Sequence, residues 1–331
     1  MTVLPRRLLR SAVTTAVLGI VVAGAQVSYS ADDDALVGAF FPYRAFDKLP
    51  STLIKVGNGT LTVAFGPGDL QLSHAVVLAW VARSVHAVAG YFGQLPDPAA
   101  RLLIVPTAGS GIRGGTTYGY RGAASRIQLG HDTTEAQLVR DWVLVHELVH
   151  QGMPNLDDEQ HWMEEGLATY VEPIARAQAG GLSVEKVWAD MLNGLPQGLP
   201  RPGDQGLDHT HTWGRTYWGG ALFYLLAEIE IRRRTSNRRG LQDALGAIVA
   251  AGGNISQSWP VEKVLRTGDQ GTGTHVLSEL YDEMKDKPVN VDLTELWRRL
   301  GVSMREESVY FDDSAPLAPV RRAITAPAHP G

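Results

Sequence analysis

The residues best suited to chemistry in this chain are His146, Glu147 and His150, set in the run Trp142-Val143-Leu144-Val145-His146-Glu147-Leu148-Val149-His150. On a helix, residues four apart lie about 40° apart around the axis and roughly 6 Å along it, so two imidazoles at that spacing reach one cation. The residue after the first His is turned by about 100°, which sets the Glu147 carboxylate beside such a cation instead of on it. A divalent metal on the imidazoles acidifies a bound water toward neutrality. Glu147 is then placed to take the water's proton as it attacks a carbonyl and to pass that proton to a leaving amine. The neighbouring positions are apolar, so these polar groups would be buried at a cost unless a cation or hydrogen bonds satisfied them. The chain has no cysteine. Thiolate metal sites, disulfides and a cysteine nucleophile are therefore excluded together, and a metal must sit on His and carboxylate.

A metal that activates water needs a third protein ligand and an open position. Downstream stands Trp162-Met163-Glu164-Glu165-Gly166-Leu167-Ala168-Thr169-Tyr170. Here the chain resembles the gluzincin zinc metallopeptidases, whose first helix carries two His and whose next, antiparallel helix supplies a Glu within Trp-x-x-Glu-Gly. The resemblance implies that Glu165 joins His146 and His150 around one Zn2+ per chain. Glu164 is the adjacent alternative, about 100° away around the helix. Glu172 could support the ligands or be a buried partner for Arg176, and His161 reads as a capping or surface residue.

Farther on, Gly214-Arg215-Thr216-Tyr217-Trp218-Gly219-Gly220-Ala221-Leu222-Phe223 resembles the gluzincin aminopeptidase segment that bears a catalytic Tyr before a Gly-Ala helix. This implies Tyr217 as a donor to the oxyanion; without the resemblance, Tyr217 and Trp218 read as core aromatics. His209 and His211 read as solvent-facing, with assistance to the oxyanion as the alternative. The order of motifs resembles the glycyl aminopeptidase-like family most, over roughly residues 115–312. It implies a thermolysin-like catalytic domain that acts on peptide or protein substrate. One departure matters. In these families an acidic signature closes a Gly-rich segment and grips the substrate's free amine, whereas Gly114-Gly115-Thr116-Thr117-Tyr118-Gly119 has no acid. Endopeptidase and aminopeptidase activity are both left open. A non-catalytic zinc-stabilised binding protein and a zinc hydrolase of a non-peptide amide would use the same ligands.

These residues must be held by helices. Thr134 and Gln137 have capping-box spacing before the apolar stretch through Met153, and Pro154 stops that helix. Loop residues 151–160 suffice to reverse the chain into a second helix over about 158–179. A third helix is expected over about 212–234, and shorter ones begin near Leu241, Val261, Thr274 and Leu293. Residues 193–208, rich in Gly and Pro, read as a surface connection. Upstream, strand-like runs at 60–65 and 101–105 flank a helix over 73–91. The Gly-rich stretch 109–122 then reads as a hairpin leading into an edge strand at 123–129, and the resemblance implies that this edge pairs with extended substrate. It is not a phosphate loop, because no Gly-Lys-Ser/Thr follows. The fold class is α+β, with a small N-terminal mixed sheet over 31–130, a mainly helical zinc-binding region over 131–312 and a flexible tail over 313–331.

The 331 residues are 44% hydrophobic with a formal charge of −5, which fits a packed core and gives no basic surface for nucleic acid. Arg6, Arg7 and Arg10 precede an apolar run from Ser11 to Val27, followed by small residues and Asp32-Asp33-Asp34. Residues 1–30 thus read as a signal peptide, cleaved after Ala23-Gly24-Ala25 or Ser28-Tyr29-Ser30, and the mature chain as exported to the periplasm or outside the cell. If uncleaved, the run would anchor the chain to a membrane.

Overall fold

A computed structural model describes residues 43–327. The expected signal segment, with both cleavage points, lies outside the described residues.

The chain opens with a short helix, α1 (Tyr43–Lys48), and a hairpin of β1 (Ser51–Val56) and β2 (Gly59–Phe65), closed through Gly57-Asn58-Gly59. Gly57 sits at φ +55, where an L side chain is strained. Helix α2 (His74–Phe92) carries the chain over the sheet to β3 (Arg101–Thr107), parallel to β2; Ser73 caps it, accepting from Val76 N at 3.4 Å. A second hairpin follows, β4 (Ile112–Tyr118) and β5 (Ala124–Gly130), and β5 lies parallel to β3. The five-stranded order is β1-β2-β3-β5-β4. The Gly-rich hairpin is therefore present, but residues 123–129 are not its edge. β5 is interior, with Ser125, Ile127 and Leu129 at 0% exposure, and the edge is β4. The alternation in β5 arises because those three residues pack toward the helices while Arg126 and Gln128 are half-buried on the opposite face.

The helical half begins with α3 (Glu135–Arg140), where Thr134 and Gln137 form the capping box. The helix does not run on to Met153. Asp141 adopts extended backbone (ψ 139) and its carboxylate accepts from Val143 N at 3.0 Å and Leu144 N at 3.1 Å, starting α4 (Val143–His150) afresh. Two such bonds contribute about 1 kcal/mol to the new helix start. Helix α4 packs beneath β4 and β5, and Gln151 Nε2 ties its end to Ser125 Oγ at 3.0 Å. Helix α5 (His161–Gln178) lies against α4, and α6 (Val184–Gly194) follows. Residues 193–208 are more than a surface connection: Leu195, Gly198, Leu207 and Asp208 are buried.

A π-helical turn over Gly214–Gly219 leads into α7 (Gly220–Arg234), packed on α5. After α8 (Leu241–Ala250), α9 (Val261–Thr272), α10 (Val276–Met284) and α11 (Leu293–Leu300) comes a β6 (Val302–Arg305) and β7 (Ser308–Phe311) hairpin. Over its described part, residues 313–327, the expected tail is not simply flexible. Helix α12 (Ala318–Thr325) docks on α5, α7 and α11. Its Val320 and Ile324 are buried, Arg321 donates to Gly301 O at 2.7 Å, and Gln178 donates to Ile324 O at 2.9 Å. Burial of these groups and satisfied backbone carbonyls outweigh the weak helical signal of a Pro/Ala-rich segment.

Candidate metal centre

Three side chains converge between α4 and α5. His146 Nε2 lies 3.3 Å from Glu165 Oε2, His150 Nε2 lies 3.2 Å from His146 Nε2, and His150 Nε2 lies 3.6 Å from Glu165 Oε2. Two imidazoles and a carboxylate suit zinc, and tetrahedral ligands held at about 2.1 Å stand about 3.4 Å from one another. The three separations straddle that value, so these three donors would fit a tetrahedral zinc. Sequence spacing brought the His pair together; what brings Glu165 to them is the α4–α5 packing.

That packing is anchored from behind. Trp162, one turn before Glu165 and 1% exposed, donates from Nε1 to Asp208 Oδ1 at 2.7 Å, and Gln160 and Tyr281 hold the other Asp208 oxygen at 2.9 and 2.6 Å. Glu164 turns away from the donors to accept from Leu156 N at 3.0 Å and to meet His161 Nδ1 at 3.2 Å. His161 also stands 3.6 Å from the second Glu165 oxygen, so it braces the carboxylate from its exposed side. Glu172 is the buried partner of Arg176, at 2.7 Å. Burial, partly offset by Arg176, raises its pKa to about 7. His209 pairs with Asp286 at 2.9 Å, and His211 is exposed.

Glu147 is buried, and its Oε2 accepts from Thr117 Oγ1 at 2.7 Å. Thr117 Oγ1 also lies 2.8 Å from the Glu147 carbonyl oxygen and 3.0 Å from Ser125 Oγ, which joins the edge strand to the helix. Burial pushes the Glu147 carboxyl up; the Thr117 bond and the His146 charge pull the other way. Gly115, two residues earlier on the same face of β4, leaves the room for this carboxylate. A Cβ there would lie 2.5 Å from Glu147 Cγ and 2.7 Å from Oε1. Sequence reasoning missed both residues. The available signal was a Gly-Gly-Thr-Thr strand whose missing side chains permit close approach of another group.

Tyr217 comes from the π-helical turn, a local geometry that recurs at functional sites because it re-aims a side chain. Burial pushes the pKa of its phenol up to about 12, with the charges of Glu165 and Glu147 acting in the same direction. It is therefore a protonated donor at neutral pH. Arg215 secures the turn: its Nε lies 2.8 Å from Asp204 Oδ2 and its Nη1 donates to Gly198 O at 2.6 Å. Glu165 would be raised by burial, but the bond to His146 and the charges of His150, His146 and His161 hold it below the usual carboxylate range.

Burial, then the neighbouring His146, lowers the His150 pKa to about 4 from 6.5. Below 6.5 the unfolded chain takes up a proton that the folded, metal-free chain refuses. The stability this group contributes is thus complete above 6.5 and lost as pH falls through about 4. With chelator present, Tm should fall more steeply from pH 6.5 to 4 in the native protein than in His150→Gln; equal slopes would show that His150 is not so held.

No protein-family profile matches this sequence, and no curated protein does. Among solved structures, an aminopeptidase N family protein from Idiomarina loihiensis aligns over 77% of this chain and 49% of that chain, at 15% identity and TM-score 0.57. An M1 zinc metallopeptidase from Deinococcus radiodurans bound to Tyr-Ser-Ala aligns over 74% and 53%, at 17% identity and TM-score 0.49. The chain spans about half the length of these structures. At such identities the likeness is one of fold: a five-stranded mixed sheet followed by a helical remainder, as in the Idiomarina loihiensis structure.

Proposed function

We infer that this protein is a zinc-dependent peptidase of the gluzincin class, working outside the cytoplasm. The observation that carries this reading is the convergence of His146, His150 and Glu165 at tetrahedral spacing, with Glu147 on the next helical position and facing an edge strand. The aminopeptidase N-like fold supports it, as does the resemblance of the motif order to glycyl aminopeptidase-like enzymes. Zinc bound there supplies a Lewis acid and lowers the pKa of its water. The chain's own groups do the rest. An extended substrate pairs with β4, whose outer side carries no neighbouring strand among the described residues. Glu147 takes the proton of the attacking water and delivers it to the leaving amine, while the Thr117 hydroxyl fixes the carboxylate's rotamer. Tyr217 donates to the oxygen that becomes negative as the carbonyl turns tetrahedral.

The test is elemental analysis with a peptide-cleavage screen on the mature protein: about one zinc per chain, with cleavage abolished by chelator and restored by zinc. A protein that takes up no zinc when it is supplied would refute the reading. Two variants dissect the site. Tyr217→Phe should keep its zinc and Tm but lose about 10²-fold in kcat, the scale of one oxyanion donor. Gly115→Ala should hold zinc and stay within about 1 kcal/mol of native stability, because the displaced Glu147 side chain can swing aside. Its kcat should drop by about 10²-fold, since a base moved by about 1 Å no longer meets the water. Native kcat in either variant would remove that residue from the mechanism.

A further inference from the structure

The chain has eight tryptophans. Six are buried or half-buried, while Trp142 and Trp213 are 54% and 60% exposed. An exposed indole leaves a large apolar surface in water, which is unfavourable unless a partner covers it. Both exposed rings touch the metal centre. Trp142 stands edge-on to the His146 ring at 5.5 Å, and Trp213 stacks on Tyr217 at 5.6 Å with 27° between the planes. They come from separate elements, Trp142 from the residue before α4 and Trp213 from the residue before the π-helical turn. Two residues after each indole the chain is buried, with Leu144 at 0% exposure and Arg215 at 3%. The backbone at each place is thus fixed by the fold while the indole is left facing out. Packing does not explain these two residues; contact with whatever reaches His146 and Tyr217 does.

We propose that Trp142 and Trp213 form an apolar rim that selects peptides with aromatic or large aliphatic side chains next to the cleaved bond. This rests on the peptidase reading. A group bonded to the reacting carbonyl, drawn to within reach of the His146 and Tyr217 side chains, brings its flanking side chains onto the two indoles. Aromatic and branched side chains gain from that contact, and alanine gains little.

The test uses two internally quenched heptapeptides of one frame, with Phe-Leu or Ala-Ala at the central bond, and zinc-loaded native, Trp142→Ala, Trp213→Ala and Trp213→Phe proteins. Zinc content and far-ultraviolet circular dichroism confirm that each variant is folded. The native protein should prefer Phe-Leu by about tenfold or more in kcat/KM, Trp213→Phe should keep most of that ratio, and each alanine variant should bring it toward unity. A native preference that survives both alanine substitutions overturns the proposal. Hydrolysis by the native protein with no preference overturns it too, while leaving the peptidase reading intact. If neither peptide is cut, anisotropy titrations of the same peptides, fluorescein-labelled, on zinc-loaded Glu147→Gln decide. Tighter binding of Phe-Leu that is lost in Glu147→Gln proteins also carrying Trp142→Ala or Trp213→Ala keeps the rim and rejects hydrolysis; equal binding rejects both.

Discussion

Glu147→Gln should reduce kcat by about 10³-fold while the protein keeps one zinc per chain and its native Tm. The substitution preserves volume, and the new amide oxygen can still accept from Thr117 Oγ1, now at 2.7 Å from the carboxylate. What disappears is the ability to take a proton. The effect is large because burial raises the Glu147 proton affinity above that of an ordinary carboxylate, which brings it closer to that of the water it must deprotonate. The same shift has a visible sign: the acid limb of the native kcat/KM profile should lie above pH 4.5, the ordinary carboxyl value. His146→Ala is the contrast, because it should lose zinc and activity together. Wild-type turnover by Glu147→Gln would leave the zinc site standing and dismiss the base.

The His pair was legible because a helix converts a sequence interval of four directly into proximity, and the interval needs no tertiary information. Glu165 was legible only through resemblance. Its distance to the histidines depends on a loop and a helix crossing, whose anchor, Asp208 under Trp162, lies 46 residues beyond Trp162. The capping box at Thr134 and Gln137 was read correctly, yet the break at Asp141 was not, since apolar periodicity continues across it and only the carboxylate's bonds to Val143 and Leu144 reveal the new start. Strand β1 carried a hairpin signature, Gly57-Asn58-Gly59, that was passed over.

The edge strand was misplaced for a physical reason. β5 alternates, but so does any strand whose two faces meet different surroundings, and β4 shows little pattern because glycine at 114 and 115 supplies no side chain to alternate. The correction bears on function. β4 is the strand that carries Thr117 and Gly115, so the surface offered to a substrate and the group that holds the base belong to one element. Helix α12 was illegible because its stability comes from Arg321 and Gln178 reaching across the fold to backbone carbonyls, which composition does not record.

Gly166→Ala should destabilise the fold and disable the site together. Gly166 follows the ligand Glu165 directly, and a Cβ there would lie 2.4 Å from Gly220 Cα and 2.5 Å from its carbonyl carbon. Reciprocally, a Cβ on Gly220 would lie 2.3 Å from Trp162 O and 2.7 Å from Gly166 Cα. All of these are main-chain atoms, so no rotamer change relieves the clash, and α5 and α7 must separate by about 1 Å to restore ordinary contact distances. Overpacking of this kind costs about 3 kcal/mol, which in a protein of this size lowers Tm by about 6–10 °C. Glu165 rides on α5, whereas Tyr217 sits on the turn that feeds α7, so the same separation pulls phenol from carboxylate. Expected together are the drop in Tm and a fall in kcat of about 10²-fold, whereas Tyr217→Phe lowers kcat alone. If Gly166→Ala melted and turned over like the native protein, the helices would not be as close as Gly166 and Gly220 make them. The Glu-Gly and Gly-Gly-Ala runs would then need another explanation than the one given by their contact, which is that glycine on each helix lets Glu165 and Tyr217 share one site.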